Sequence, residues 1–357
     1  MAGLVFFTGF PGFIGRRLVS RLLADDPELR VATLVEEKMA DDARKCAEQL
    51  DAGDRIEVIT GDIGEPRLGL DDATYDRLVG EMTSAYHLAA IYNLAVPLEI
   101  AQRVNVDGTG NVLALCARAD NLERLNYVST AYVAGTRTGT VYEHELIMGQ
   151  QHKNHYESTK FQAEVWVREY MDKVPTTTYR PAIVVGDSQT GQTQKFDGPY
   201  YILRTFQRMG RAPLAQFGRA EAPFNVVPVD FIVDAITAAA KDSAAVGETL
   251  HLVDPEPVTA AELFRTLARE YTEREPKYRV PPKMVENSLR VNAISKAFHG
   301  APRESIQYLN HPVTFDTRRA TALLERSGVR CPRFDEYVAT MVGFFREHEE
   351  DPAFEPA

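Results

Sequence analysis

Tyr156 and Lys160, a phenol and an ammonium, stand one helical turn apart in "NHYESTKFQAEVWVREYM" (154–171). The segment reads as a helix capped by Asn154. Tyr156, Lys160, Ala163, Val167 and Tyr170 or Met171 form a stripe that should face a core. Glu157, Gln162, Glu164, Arg168 and Glu169 are expected to keep the other faces wet. Burying the Lys160 ammonium costs several kcal/mol unless something pairs with it. Either the lysine snorkels out of a helix end, or a bound ligand supplies its partners and Tyr156 shares that ligand.

A second set of residues suits phosphate chemistry. "LVFFTGFPGFIGRRLVSRLL" (4–23) reads as strand, tight turn and helix, with Gly9, Phe10, Pro11, Gly12, Phe13, Ile14, Gly15 and Arg16 in and around the turn. Glycines let the backbone approach a pyrophosphate, whose charge the free N–H groups and the helix dipole stabilise. Glu36 ends the next strand, about twenty residues past the last glycine, where a carboxylate accepts from both ribose hydroxyls and favours NAD. Arg16, Arg17 and Lys38 lie close enough in sequence to neutralise a 2′-phosphate, so NAD and NADP both stay open. Asp62, in "TGD" (60–62), is placed to accept from the adenine amino group. In "HLAA" (87–90), Leu88, Ala89 and Ala90 are small enough in sum for a cofactor to lie against a strand end, and His87 reads as a core histidine.

The elements that must position these residues alternate in a β-α-β cadence: strands at Leu4–Phe7, Val31–Val35, Ile56–Ile59, Ala85–Ala89 and Leu125–Ser129, and helices at about 14–24, 41–50 and 104–119. The strands are continuous apolar runs, as in a parallel sheet covered on both faces. A Rossmann-type, doubly wound α/β fold follows. Residues 1–186 read as the dinucleotide-binding domain, with 224–254 returning to it as a strand, a helix and a further strand. Residues 187–223 and 255–347 read as a smaller, mostly helical substrate lobe, and an acidic, proline-containing tail at 348–357 is expected to fray.

Composition narrows the partners. There are 51 acidic against 40 basic residues, a net charge of −11 and no basic run, which argues against nucleic acid and anionic membrane. Cys46, Cys116 and Cys331 are scattered without metal-ligand spacing, as in reduced cytoplasmic proteins, and no metal site is expected. No signal peptide or membrane span is legible.

In order and spacing, "TGFPGFIG" (8–15), "GDI" (61–63), "HLAA", "NVDGT" (105–109), "YVSTAYVAG" (127–135), "YESTK" (156–160), "YRPAIVVG" (179–186) and "NVVPVDFIVDAI" (225–236) resemble the extended short-chain dehydrogenases/reductases. "GDIGEPRLGL" (61–70) and "YVSTAYV" are similar to the male-sterility branch, with fatty acyl-CoA reductases and the terminal reductase domains of carboxylic acid reductases and peptide synthetases. That branch reduces thioesters to aldehydes or alcohols with NADPH, although it usually carries arginine where Glu36 stands.

The resemblance implies a Tyr156 acid/base. Its phenol, ordinarily titrating at about 10, needs the neighbouring Lys160 cation to work near pH 7. Lys160 would also bind the nicotinamide ribose. Thr130 is the better match for the hydroxyl on the substrate oxygen, with Ser129 beside it, and a one-residue register shift would exchange them. Asn105 matches the family asparagine. Ile63, Pro181 and Ile183 join the cofactor contacts. Ile91, Tyr92, Asn93, Tyr132 and "KFDGPYY" (195–201) are candidates to line a pocket for a small carbonyl, alcohol or acyl thioester, and the resemblance is compatible with a homodimer. Two other readings compete. A nucleotide-sugar epimerase or dehydratase would need a diphosphate site, for which Lys195, Arg204, Arg208 and Arg211 are the available cations. A non-catalytic dinucleotide sensor would have no need to keep Tyr156, Lys160 and a hydroxyl together.

Overall fold

The apolar runs become strands of one parallel sheet. The structure, a computed structural model, describes residues 3–92, 96–210, 215–216, 221–276, 278–279 and 307–355. The first half contains β1 (Leu4–Thr8), α1 (Phe13–Asp25), β2 (Arg30–Val35), α2 (Ala40–Gln49), β3 (Ile56–Thr60), α3 (Asp72–Glu81), β4 (Met82–His87), α4 (Leu98–Ala101), α5 (Gly108–Cys116), β5 (Arg124–Val128) and β6 (Gly139–Val141). There follow α6 (His155–Tyr170), β7 (Thr176–Pro181), β8 (Ile183–Val185), α7 (Tyr200–Met209), β9 (Ala215–Gln216), β10 (Val226–Pro228), α8 (Val229–Lys241) and β11 (Thr249–Leu252). The remaining elements are α9 (Ala260–Thr272), β12 (Tyr278–Arg279), β13 (Val313–Phe315), α10 (Arg318–Leu324) and α11 (Phe334–His348).

Among the described residues the central sheet has seven strands in the order β11-β7-β5-β4-β1-β2-β3, with every pair parallel. The order reverses between β1 and β4, which places the ligand crevice at their carboxyl ends. Successive side chains of β1 point to opposite faces. Phe6 joins Leu78, Val112, Ala163 and Val167 from α3, α5 and α6, while Val5 and Phe7 join a core that includes α1, α8, α9 and α11. Both faces of β1 are fully covered, which is why its sequence runs apolar rather than alternates.

β10 pairs with β8, α8 packs beside α1 and β11 is an edge strand of the main sheet. Three expectations need correction. β4 begins three residues before the Ala85 start and ends at His87, so Leu88 and Ala89 lie in the loop beyond it. Helix α3 is absent from the sequence reading: only Tyr75 and Leu78 of its residues are buried, and Asp71 caps it by accepting from Thr74 N at 2.9 Å. The tail does not fray throughout. Phe354 stacks on Phe196 at 4.9 Å, and its carbonyl accepts from Phe196 N at 2.9 Å.

Candidate active site

The turn after β1 is shaped by backbone crowding. Gly9 has φ +95°, and a Cβ there would lie 2.9 Å from Ala89 N, so the Leu88–Ala89 backbone crosses directly against it. A Cβ on Gly15 would meet the Gly9 carbonyl oxygen at 2.3 Å. Gly12 caps α1 without a side chain, and no acidic residue stands in the first turn, so the helix begins with its N–H groups and dipole open to an anion. The crowding and the uncapped start fit the pyrophosphate of a dinucleotide. His87 is a structural bridge, Nδ1 to Thr8 Oγ1 at 2.7 Å and Nε2 to Thr109 Oγ1 at 3.0 Å. Burial, then the Lys160 charge, pushes it down to about 3.

Around this turn the polar groups divide into committed and available ones. Arg17 donates to the Phe13 and Gln192 carbonyls at 3.2 and 3.1 Å. Lys38 forms an ion pair with Glu36 at the end of β2. Among the described residues the Arg16 guanidinium has no ion pair. The Asp62 carboxylate accepts from Gly64 N at 2.8 Å and from Arg103, which also reaches Glu65. Ile63 is buried in the core, and its carbonyl accepts from Asn111 at 2.8 Å. Pro181 ends β7, where it is buried, and Ile183 opens β8, where it is half-buried.

Helix α6 carries the other half. Asn154 caps it by accepting from Glu157 N at 2.9 Å, as the sequence indicates. Lys160 does not snorkel: it is 2% exposed, its Nζ donates to the Val128 carbonyl at 2.8 Å and lies 4.6 Å from the centre of the Tyr127 ring. Desolvation pushes its ammonium down to about 7, against the opposing pull of Glu164. Burial raises the pKa of the Tyr156 phenol, the nearby Thr130 side chain, just past β5, lowers it and the Glu157 charge raises it. Tyr92, 57% exposed, packs edge-on against Tyr156 at 5.1 Å.

Ser129 and Thr130 are adjacent but do different things. The Ser129 hydroxyl donates to Glu164 Oε2 at 2.5 Å, away from Tyr156. Thr130 Oγ1 accepts from Tyr132 N at 3.3 Å and faces Tyr156. Asn105 lies in a wide π-helical turn, Gln102–Asp107, between α4 and α5. Its Oδ1 accepts from Ile91 N at 2.9 Å and its Nδ2 donates to Thr159 at 3.0 Å, linking the loop after β4 to α6. The Tyr132 ring is held edge-on by Tyr308 and Phe315 at 4.7 and 6.0 Å. Asn93 and Arg211 lie outside the described residues.

A family model described as male sterility protein matches residues 7–236, well over half of the chain, with Thr130, Tyr156 and Lys160 among them. The chain belongs to the male sterility protein family. The relatives that this family member matches are larger proteins. It is 28% identical to a linear gramicidin synthase polypeptide of Brevibacillus parabrevis, over 94% of this chain and 7% of that protein. It is 30% identical to the aldehyde reductase lnaA of Aspergillus flavus, over 71% of this chain and 26% of that one. The chain thus spans well under half the length of these relatives. Its structure superposes with a TM-score of 0.83 on the terminal R domain from the myxalamid PKS-NRPS pathway, at 26% identity, covering 99% of this chain and 92% of that one. The matched region of this family member is an NAD-binding domain, and its fold is the one seen in that R domain.

Two buried networks escape the sequence reading. Glu157 and Glu164, expected on wet faces, are both fully buried. Glu164 accepts from Arg180 Nε at 3.0 Å and Nη2 at 2.5 Å, and Arg180 also donates to the Glu143 and Glu145 carbonyls. Glu157 accepts from Lys153 at 2.9 Å and from the Tyr308 hydroxyl at 2.8 Å. The available signal is Arg180 inside the apolar run "TTTYRPAIVV": a cation in a covered strand demands an anion. Among the described residues there is no group of side chains that could hold a metal and no helix long and apolar enough to cross a membrane.

Proposed function

We propose that this protein reduces an acyl thioester to an aldehyde at a site built from Thr130, Tyr156 and Lys160. The convergence of these three beside the sheet's carboxyl edge supports the reading most directly, with Lys160 sealed from solvent. When bound, the reduced nicotinamide supplies the hydride to the acyl carbon. Thr130 and Tyr156 hold the carbonyl oxygen, and Tyr156 donates its proton as negative charge gathers there. The resulting hemithioacetal collapses by losing its thiol, which leaves the aldehyde. Lys160 stabilises the phenolate that Tyr156 becomes and offers donors to the ribose hydroxyls. Asn105 fixes the loop that carries Tyr92, while Ser129 serves the packing of Glu164 rather than the substrate.

Residues 8–16, the Leu88–Ala90 loop and the 181–183 backbone would hold the dinucleotide. We read its ribose end as taking NADP(H): Lys38 already pairs with Glu36, and Arg16 is the cation left for a 2′-phosphate. Asp62, engaged by Arg103, keeps a lone pair for the adenine. The segment before α7 and the elements after β11 would form the substrate lobe. Incubation with an acyl N-acetylcysteamine thioester should consume NADPH and yield aldehyde in equal amounts. Turnover of a nucleotide sugar without net cofactor consumption would replace this reading with the epimerase one.

A further inference from the structure

Two side chains span the gap between the segment that carries Thr130 and the segment that carries Tyr156. The first is Lys153. Its Nζ donates to the Gly135 carbonyl at 2.6 Å, just past the tight turn Ala131–Ala134 that Thr130 caps, and to Glu157 Oε1 at 2.9 Å in the first turn of α6. The second is Tyr308, from the C-terminal part of the chain. Its ring packs edge-on against Tyr132 at 4.7 Å, and Tyr132 N donates to Thr130 Oγ1 at 3.3 Å. Its hydroxyl accepts from Asn154 Nδ2 at 3.0 Å and donates to Glu157 Oε1 at 2.8 Å.

These bonds close into a ring around the residue that follows Tyr156. Asn154 Oδ1 accepts from Glu157 N at 2.9 Å, and Glu157 Oε2 accepts from Lys153 N at 2.9 Å. The ring is dry: Glu157 is fully buried, Tyr308 is 9% exposed and the Lys153 side chain 5%. Groups so placed have no water to exchange their partners with, so they hold one geometry. The Lys153 ammonium also lies 5.1 Å from the centre of the Tyr308 ring and 5.8 Å from that of Tyr132, which ties the two bridges to each other. The segment that carries Tyr308 is itself moored beside the Thr130 turn, because β13 pairs with β6 and His311 Nε2 donates to the Arg137 carbonyl at 2.5 Å.

We propose that Lys153 and Tyr308 are positioning residues, which hold the first turn of α6 against the Thr130 turn through Glu157 and the Asn154 cap, and so set where the Tyr156 hydroxyl stands relative to Thr130. The consequence for turnover rests on the reductase reading; the placement of the phenol does not.

Tyr308→Phe keeps the ring on Tyr132 and removes both hydroxyl bonds, whereas Lys153→Met breaks the other bridge and serves if the first variant folds poorly. With an acyl thioester and NADPH, kcat per NADPH-binding site should fall about 10- to 100-fold in either, up to the loss that a displacement of about 1 Å produces. Counting sites by NADPH titration removes any unfolded fraction. The KM for the thioester and the dinucleotide affinity should stay within about twofold. Added to Tyr156→Phe, Tyr308→Phe should cost nothing further, since the group it places is already gone; the same fold loss in both backgrounds overturns the proposal. Carbon-13 NMR of the tyrosine ζ carbons, with the Tyr156 line identified by its loss in Tyr156→Phe, reads the placement without turnover. That line should move in Tyr308→Phe and in Lys153→Met, and a line that stays put in both overturns the proposal. If the unmutated protein reduces no thioester while the line moves, the reductase reading is wrong and the positioning role stands. If it reduces thioesters while kcat and the line are unchanged in both variants, the positioning role is wrong and the reductase reading stands.

Discussion

Replacing Glu164 with glutamine should cost more stability than any change of a single surface charge. Its carboxylate is fully buried and is bound by Arg180, 1% exposed, through Nε and Nη2, and by the Ser129 hydroxyl. Removing the negative charge leaves the Arg180 guanidinium buried without its counter-ion, a change that costs about 3–5 kcal/mol, whereas an exposed pair such as Arg44–Asp41 is worth about 0–1 kcal/mol. For a chain of this size the loss corresponds to a fall in Tm of roughly 4–7 °C. Urea and thermal unfolding of Glu164→Gln, Arg180→Met and the Glu164→Gln/Arg180→Met double variant would measure it as a cycle. The double variant should be more stable than the sum of the two single losses, with a coupling of about 2 kcal/mol or more. A Glu164→Gln protein within about 1 kcal/mol of the unmutated one, or a cycle with no coupling, would refute the reasoning.

Two further outcomes follow from the same site. Thr130→Ala should lower kcat roughly 10²–10³-fold, the loss seen when one donor to a developing oxyanion is removed. Ser129→Ala should instead destabilise by about 1–3 kcal/mol by leaving Glu164 short of a donor, and kinetics with unfolding curves on both variants would expose an exchange of roles. Lys160, pushed down from its ordinary 10.5 to about 7 by burial, should make stability rise with pH between those values: there the unfolded chain still holds the proton that the folded chain has released. Lys160→Met should flatten that rise, and unfolding curves across the window would show whether it does.

How much of this is legible in the sequence depends on how local the cause is. The glycine turn, the parallel strands and the Asn154 cap follow from residues within a few positions of one another. Lys160 can be read as facing inward because helical periodicity is local, yet its actual partners, the Val128 carbonyl and the Tyr127 ring, come from β5, 32 residues away in the case of Val128. Glu157 and Glu164 mislead for the same reason. A carboxylate on a helix reads as wet until its buried partners are known, and Arg180 and Tyr308 lie 16 and 151 residues away. Sequence matching favours Thr130 over Ser129 but leaves a one-residue slip open, since both are hydroxyls at one strand end and the Glu164 that engages Ser129 lies 35 residues away. Helix α3 has two buried residues and too short a stripe to register. Tyr132 follows Thr130 by two residues, but Tyr308 and Phe315, which grip its ring, come from the far end of the chain.

The central claim is that Tyr156, beside Thr130 and backed by Lys160, moves the proton in a hydride-transfer reduction. Steady-state NADPH oxidation by Tyr156→Phe with an acyl thioester, alongside its dinucleotide affinity, tests this most directly. The account predicts a fall in kcat of about 10²–10⁴-fold with cofactor binding retained. Turnover undiminished by the loss of that one hydroxyl would contradict it.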